Sequence, residues 1–233
     1  MDSWNFLVTK DLSGFDNMEK DLFLLDEFIK SDLSPILRFY SWKKPTISLG
    51  RSQDFSEINL EYCKNNNIDV VKRPTGGKAV FHQGEFTYSF ISSKKYGMPE
   101  KIFDSYLKIS KAIILGLQNL KKIDISIGEH ETTKYYNSSF CFGSSSVSDL
   151  NYYGNKFVGS SQLRKGNALL QHGSILINQD FTLLDKIFFK KINIEEQINL
   201  ADILGFKPTF EEIQIALLKG FSDFFEINFK KIY

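Results

Sequence analysis

Apolar residues fall at helical spacing soon after the start of the chain. Met18, Leu22, Leu25 and Ile29 recur every three or four positions, which predicts an amphipathic helix. Asp16 or Asn17 is the expected N-cap, because a short polar side chain accepts from the free N–H groups of a first helical turn. From Ile36 the pattern changes to short strands. Ile36–Trp42 and Thr46–Gly50 are parted by Lys43-Lys44-Pro45, and Asp69–Arg73, Lys78–His82 and Glu85–Ser92 by Pro74–Gly77 and Gln83-Gly84; each break carries turn-forming residues. Glu61–Asn67 reads as a short helix and its exit.

A longer helix is expected over Ile102–Leu120, with Phe103, Tyr106, Leu107, Ile113, Ile114 and Leu117 on its apolar face. Ile123–Ile127 reads as a strand. Glu129–Ser146 is polar, aromatic and irregular, the signature of a long functional loop. Leu150–Tyr153, Lys156–Arg164 and Leu169–Asn178 follow as antiparallel strands, turned at Gly154-Asn155 and Lys165-Gly166-Asn167. Thr209 with Glu212 three residues on makes a capping box for a last helix over Phe210–Phe225. Runs of strands with helices before, between and after predict an α+β fold, read as a single domain over residues 1–233.

Composition narrows the class. Hydrophobic residues make up 42% of the 233 positions and charged residues 24%, ordinary globular usage. The 22 phenylalanines imply a large core and supply material for an apolar pocket wall. A net charge of +1 gives no global field for nucleic acid or an anionic membrane. No apolar run approaches the length of a membrane span, and Met1–Lys10 lacks a signal-peptide pattern. A cytoplasmic protein with Cys63 and Cys141 as thiols is expected. His82, His130 and His172 share no ligand spacing, so no metal site is expected.

Four segments carry candidate chemistry. In Arg73-Pro74-Thr75-Gly76-Gly77-Lys78, paired glycines let backbone approach a ligand, and two cations sit at the same place; a plain turn with solvated cations reads equally well. Lys156 opens a strand whose small residues Gly159, Ser160 and Ser161 leave room on the sheet, so its amine can face a cleft; an exposed strand-end lysine is the bland reading. Cys141, between Phe140 and Phe142, is either a buried thiol or a nucleophile needing a nearby base or cation. His172 and His82 are each either a base or a core hydrogen-bonding residue.

Taken together, RPTGGKAVFH (73–82), EFTYSF (85–90), CFGSSS (141–146), GNKFVGSSQ (154–162) and QHGSILI (171–177) resemble, in order and spacing, the lipoate-protein ligase and octanoyltransferase family. RFYSWKKPTISLGRSQ (38–53) and the last helix extend the likeness over nearly the whole chain. The resemblance implies a mixed, largely antiparallel sheet packed with helices, shared with biotin protein ligase catalytic domains. It implies a nucleophile at Cys141 and a catalytic lysine at Lys156. Arg73, Thr75, Gly76, Gly77, Lys78, His82, Gly159, Ser160 and His172 would bind substrate. Lys78 stands where ligases commonly carry a third glycine, Gln171 where they often carry a second histidine, and no accessory domain is expected after Tyr233. With Cys141, these features point to the octanoyltransferase branch. Gln83 and Ser145-Ser146-Val147 depart from the family pattern.

The expected reaction moves octanoyl from octanoyl-acyl carrier protein, through a Cys141 thioester, to a lysine of a lipoyl-accepting domain such as glycine cleavage H protein. No cofactor is expected; ATP and Mg would be needed only if the chain were instead a lipoate-protein ligase. A lipoyl-domain amidotransferase or a non-catalytic lipoyl-binding protein would also fit these segments. Leu49, Val80, Tyr88 and Val158 are expected tunnel walls. Lys43, Lys44, Arg51, Lys94 and Lys95 form a candidate docking patch for an acidic carrier, or else are solvated loop charges.

Overall fold

The computed structural model describes residues 2–128, 140, 149–192 and 197–233. The chain runs β1 (Ser3–Leu12), α1 (Gly14–Lys30), β2 (Ile36–Trp42), β3 (Thr46–Leu49), α2 (Leu60–Asn65), β4 (Asp69–Lys72), β5 (Val80–His82), β6 (Glu85–Ser93), α3 (Ile102–Gln118) and β7 (Ser126–Ile127). It continues with β8 (Leu150–Tyr152), β9 (Asn155–Lys165), β10 (Ala168–Leu176), α4 (Leu184–Ile187), α5 (Leu200–Leu204), α6 (Phe210–Phe225) and β11 (Asn228–Lys231). The strands form an eight-stranded sheet, β11-β1-β2-β6-β10-β9-β8-β7, and a three-stranded sheet, β4-β3-β5. In the large sheet the β11–β1 and β1–β2 pairs are parallel; β2–β6, β6–β10, β10–β9, β9–β8 and β8–β7 are antiparallel. The fold is α+β with a mixed, largely antiparallel sheet, as the sequence led us to expect.

Strand period explains how the large sheet serves two purposes. Successive side chains on a strand point to opposite faces. On β2, Leu37 and Phe39 join a core with Phe86, Tyr88 and Phe90 of β6 and with Ile109, Ile113, Leu117, Leu217 and Phe221 of α3 and α6. The alternate residues Arg38 and Tyr40 reach α1 instead. Thr87 and Ser89 of β6 and His172 and Ser174 of β10 share that second face by register. One face of the sheet is thus largely aromatic, and the other carries a row of buried polar side chains. The second face is sealed at one end by Leu24, Leu25 and Phe28 of α1 against Ile36, Ile91 and Leu170. The small sheet has its own core, including Ile47, Leu49, Cys63, Phe81 and Phe140.

Phenylalanines furnish these cores, and among the described residues none lines the cleft between the sheets. β1 and β11 carry no clear alternation in sequence: β11 is mostly exposed, and its place is set by parallel pairing with β1. The first helix begins three to four residues earlier than expected, capped by Ser13 accepting from the Asp16 N–H. The expected strand over 123–127 narrows to β7. The expected loop over 129–146 lies outside the described residues except for Phe140.

Candidate active site

The cleft opens between the polar face of the large sheet and the small sheet. Met18, Tyr40, Trp42 and Val80 provide its apolar walls, and Ser48, Arg73, Gly77, His82, Thr87, Gly159, Ser160, Ser161, His172, Gly173 and Ser174 complete it. Its empty space, counted out to the mouth and including open solvent, is about 420 Å³.

The loop after β4 forms one edge. Arg73 is buried, and its guanidinium is occupied by the protein: Nε donates to Thr75 Oγ1 at 3.2 Å, Nη1 to Ser48 O at 2.8 Å and Oγ at 3.4 Å, and Nη2 to Gly76 O at 2.8 Å and Lys78 O at 2.7 Å. Arg73 therefore clasps its own loop. Gly77 has φ +88°, open to glycine at little cost. A Cβ on Gly50 would lie 1.9 Å from the Gly77 carbonyl oxygen, so the exit of β3 needs glycine for the loop to lie against it.

Two chains of carboxylate, imidazole and hydroxyl converge on this loop. In the first, Asp21 of α1 accepts from Arg38 Nη1 at 2.6 Å and Ser89 Oγ at 2.7 Å on Oδ1, and from Tyr40 OH at 3.2 Å and His172 Nδ1 at 3.1 Å on Oδ2. Burial by itself would raise the Asp21 carboxyl, but the Arg38 guanidinium and the hydrogen bonds from His172 and Ser89 hold it below its ordinary value. Burial, with Asp21 adjacent, lifts Tyr40 well above the phenol range and keeps it a donor. Burial also pushes His172 below the ordinary imidazole range, against the pull of Asp21. His172 is consequently neutral near pH 7. Its Nε2 lies 2.6 Å from Thr75 Oγ1, which lies 2.7 Å from Ser161 Oγ.

In the second chain, Glu85 Oε1 accepts from His82 Nδ1 at 3.0 Å, from Trp42 Nε1 at 2.7 Å and from Thr87 Oγ1. His82 Nε2 is 2.7 Å from Ser48 Oγ, and Trp42 stacks on the imidazole with centroids 3.9 Å apart. On the far side of the sheet, Tyr88 OH is 2.7 Å from Ser160 Oγ and accepts from Gln171 Nε2 at 2.9 Å. Burial pushes Tyr88 up to about 12. Ser174 Oγ, buried against the cleft, has no hydrogen-bond partner among the described residues, so the cleft retains a polar group for a ligand or water to engage.

Lys156 is 2% exposed near the start of β9, with Nζ 2.8 Å from Oδ2 of the equally buried Asp149. It lies three residues before the cleft residue Gly159. Phe140 is bridged in parallel to Ala79, beside β5; Cys141, the next residue in sequence, lies outside the described residues, as does His130.

A family model described as the lipoyl protein ligase A/B catalytic domain matches residues 13–222. The chain belongs to this family. An octanoyltransferase LipM of Carboxydothermus hydrogenoformans is 39% identical, with 98% of this chain and 89% of the relative covered. An octanoyltransferase LipM of Brevibacillus brevis has the same identity and the same coverage. A crystal structure of lipoate-protein ligase A bound with ATP superposes with TM-score 0.77 at 24% identity, over 99% of this chain and 90% of that one, which shows a common fold. Within the lipoyl protein ligase A/B family the chain stands with the acyltransferases, and it is an enzyme of that class.

Of the residues singled out in sequence, this member of the lipoyl protein ligase A/B family gathers Arg73, Gly77, His82, Gly159, Ser160 and His172 around one cleft. Thr75 joins them through His172, and Gly76 and Lys78 through carbonyls held by Arg73. Of the expected tunnel walls only Val80 lines the cleft; Leu49, Tyr88 and Val158 point into the cores. In the expected docking patch, Lys44 pairs with Asp69, Lys94 with Glu100 and Lys95 with Asp32, which blunts its positive charge.

Sequence reasoning missed Asp21, Arg38, Tyr40, Trp42, Ser48, Glu85, Asp149 and Ser161. Asp21 had a readable signal, three residues after Met18 and four before Leu25 on the same helical stripe. Asp149 had none, because its partner lies across a strand pairing.

Proposed function

We propose that this chain is an octanoyltransferase of protein lipoylation. It would take octanoyl from octanoyl-acyl carrier protein, hold it as a thioester on Cys141, and pass it to a lysine ε-amine of a lipoyl-accepting domain such as glycine cleavage H protein. The observation that carries this reading is the cleft: an apolar wall of Met18, Trp42 and Val80 leads to a glycine loop, on a chain whose relatives bear the octanoyltransferase name over nearly their full length. Burying the seven carbons beyond the octanoyl carbonyl along such a wall is worth about 5 kcal/mol.

Cys63 favours Cys141 by contrast. Cys63 is 1% exposed in the small-sheet core, and burial raises its thiol, so it is a poor source of thiolate. In the first half-reaction the Cys141 thiolate attacks the carrier thioester and the carrier thiol departs. The buried Lys156, engaged by Asp149, provides positive charge to the developing anion. In the second, the acceptor amine attacks, a C–N bond forms, the C–S bond breaks and the amine gives up a proton. The donor thioester is already activated, so this route needs neither ATP nor a metal.

The test is intact-protein mass spectrometry after mixing with octanoyl-acyl carrier protein. Wild type should acquire one octanoyl group and Cys141→Ser none. An adduct that survives in the variant, or that maps to Cys63, overturns the assignment. Parallel reactions with octanoyl-H protein, and with lipoate plus ATP, separate this reading from amidotransfer and ligation: labelling of the acceptor only in one of those arms replaces it.

A further inference from the structure

Protonation states in the first buried chain follow from its donors. Asp21 is surrounded by Arg38, Ser89, Tyr40 and His172, all four donating to it, so it is an ionised acceptor. The proton of neutral His172 therefore sits on Nδ1 and leaves Nε2 bare. Thr75 must then donate its hydroxyl proton to Nε2. Thr75 Oγ1 is left to accept, from Arg73 Nε and from Ser161. Ser161 thus donates to Thr75, and its own lone pairs are free of that bond. Ser161 lines the cleft and is only partly buried.

We propose that Ser161, Thr75 and His172 form a proton relay, with Ser161 as its open end in the cleft and Asp21 as the residue that positions and polarises it. The proposal rests on the octanoyl-transfer reading and assigns the proton acceptor of its second half-reaction. When the acceptor amine adds to the octanoyl thioester, the N–H proton passes to Ser161 Oγ. Ser161 hands its proton to Thr75, and Thr75 hands its own to His172 Nε2. The C–N bond is then complete and the thiolate of Cys141 leaves. The imidazolium, held by Asp21, returns its proton along the same path to the thiolate. The net products are an amide and a thiol, and no outside acid or base is consumed.

The relay does work that Lys156 is poorly placed to do. An amine engaged by the buried Asp149 carboxylate at 2.8 Å donates to it, whereas the second step needs an acceptor. The charged and titratable groups facing His172 are Asp21 on α1, Arg73 after β4 and His82 on β5. Burial opposes the imidazolium most strongly, Asp21 favours it, and Arg73 and His82 oppose it, so the proton resides on His172 only transiently.

Two measurements test the relay. Long-range 1H–15N spectra of wild type at neutral pH should show His172 as the Nδ1–H tautomer with an unprotonated Nε2; an Nε2–H tautomer or an imidazolium overturns the proposal without any assay. Single-turnover transfer from preformed octanoyl-enzyme to the acceptor domain should fall about 100-fold or more in Ser161→Ala, while loading from the carrier falls far less. A proton inventory in mixed H2O and D2O should be bowed for wild-type transfer and straight for the variant. Equal losses in both half-reactions, or a straight wild-type inventory, reject the relay and leave octanoyl transfer standing. A wild type that never acquires octanoyl rejects the underlying reading instead.

Discussion

Asp21 shows how one residue ties structure to chemistry. It is a carboxylate on the buried face of a helix, and Arg38, which holds it, has no exposed surface either. The remaining Arg38 donors go to Thr9 Oγ1, Asn17 O and Asn17 Oδ1. A buried pair of this kind stabilises little relative to a well-packed apolar pair, but breaking it strands a charge. Asp21→Ala should therefore lower unfolding free energy by about 3–5 kcal/mol, measured by urea denaturation; a change below about 1 kcal/mol would mean that water or a rearrangement takes over from the carboxylate. The same pair decides which side of α1 faces inward. The spacing of Met18, Leu22, Leu25 and Ile29 pointed to one apolar stripe, yet Leu22 and Ile29 are exposed, while Asn17, Asp21, Leu24 and Phe28 are buried. Hydrophobic period alone left the rotation of the helix loose, and the demand of Arg38 for acceptors turned it.

At the scale of elements, α3 and α6 make a close contact that the sequence did not announce. Gly116 and Gly220 face each other. A Cβ on Gly220 would lie 2.2 Å from the Gly116 nitrogen, and one on Gly116 would lie 2.9 Å from the Cα of Leu217. Alanine is the better helix former by about 1 kcal/mol, so propensity predicts that Gly220→Ala stabilises. Backbone contact reverses the sign, since the helices must separate and loosen Ile113, Leu117, Leu217 and Phe221 in the shared core. Gly220→Ala should lose about 1–3 kcal/mol, and Gly116→Ala less, read as a drop in thermal midpoint; a rise in either would show that the helices part freely. The capping box on α6, by contrast, was fully legible: Thr209 accepts from the Glu212 N–H, and Glu212 returns a bond to Thr209 N. Local hydrogen bonding needs only neighbours in sequence.

At the scale of the whole molecule, acid should dismantle the polar face of the sheet. His172 has a folded value below its ordinary value of about 6.5. On acidification the unfolded chain therefore takes up its proton first, and stability falls from about pH 6.5 down to the folded value. Asp21 is depressed from about 3.9, so its contribution is present above that pH and is lost as pH drops below it toward the folded value. Thermal midpoints across this range should show two steps of acid loss. His172→Gln should erase the upper one and keep the lower; an unchanged profile would mean that the buried imidazole titrates alike in folded and unfolded chains.

Sequence by itself determined the class of fold and the order of most strands and helices, and it singled out the loop of residues 73–78 that lies at the edge of the cleft. These depend on periods, turn residues and motif spacing, all of which are local or are carried by the resemblance. Tertiary structure alone decided that one face of the large sheet is largely aromatic and the other polar, because that follows from which helix covers which face. It alone brought Asp21, His172, Thr75 and Ser161 into line, since α1, β10, the loop after β4 and β9 meet only when the strands pair. It also gave Lys156 its carboxylate neighbour and made Arg73 a clasp for its own loop. A buried charge is defined by its partners, and those partners lie far away along the chain.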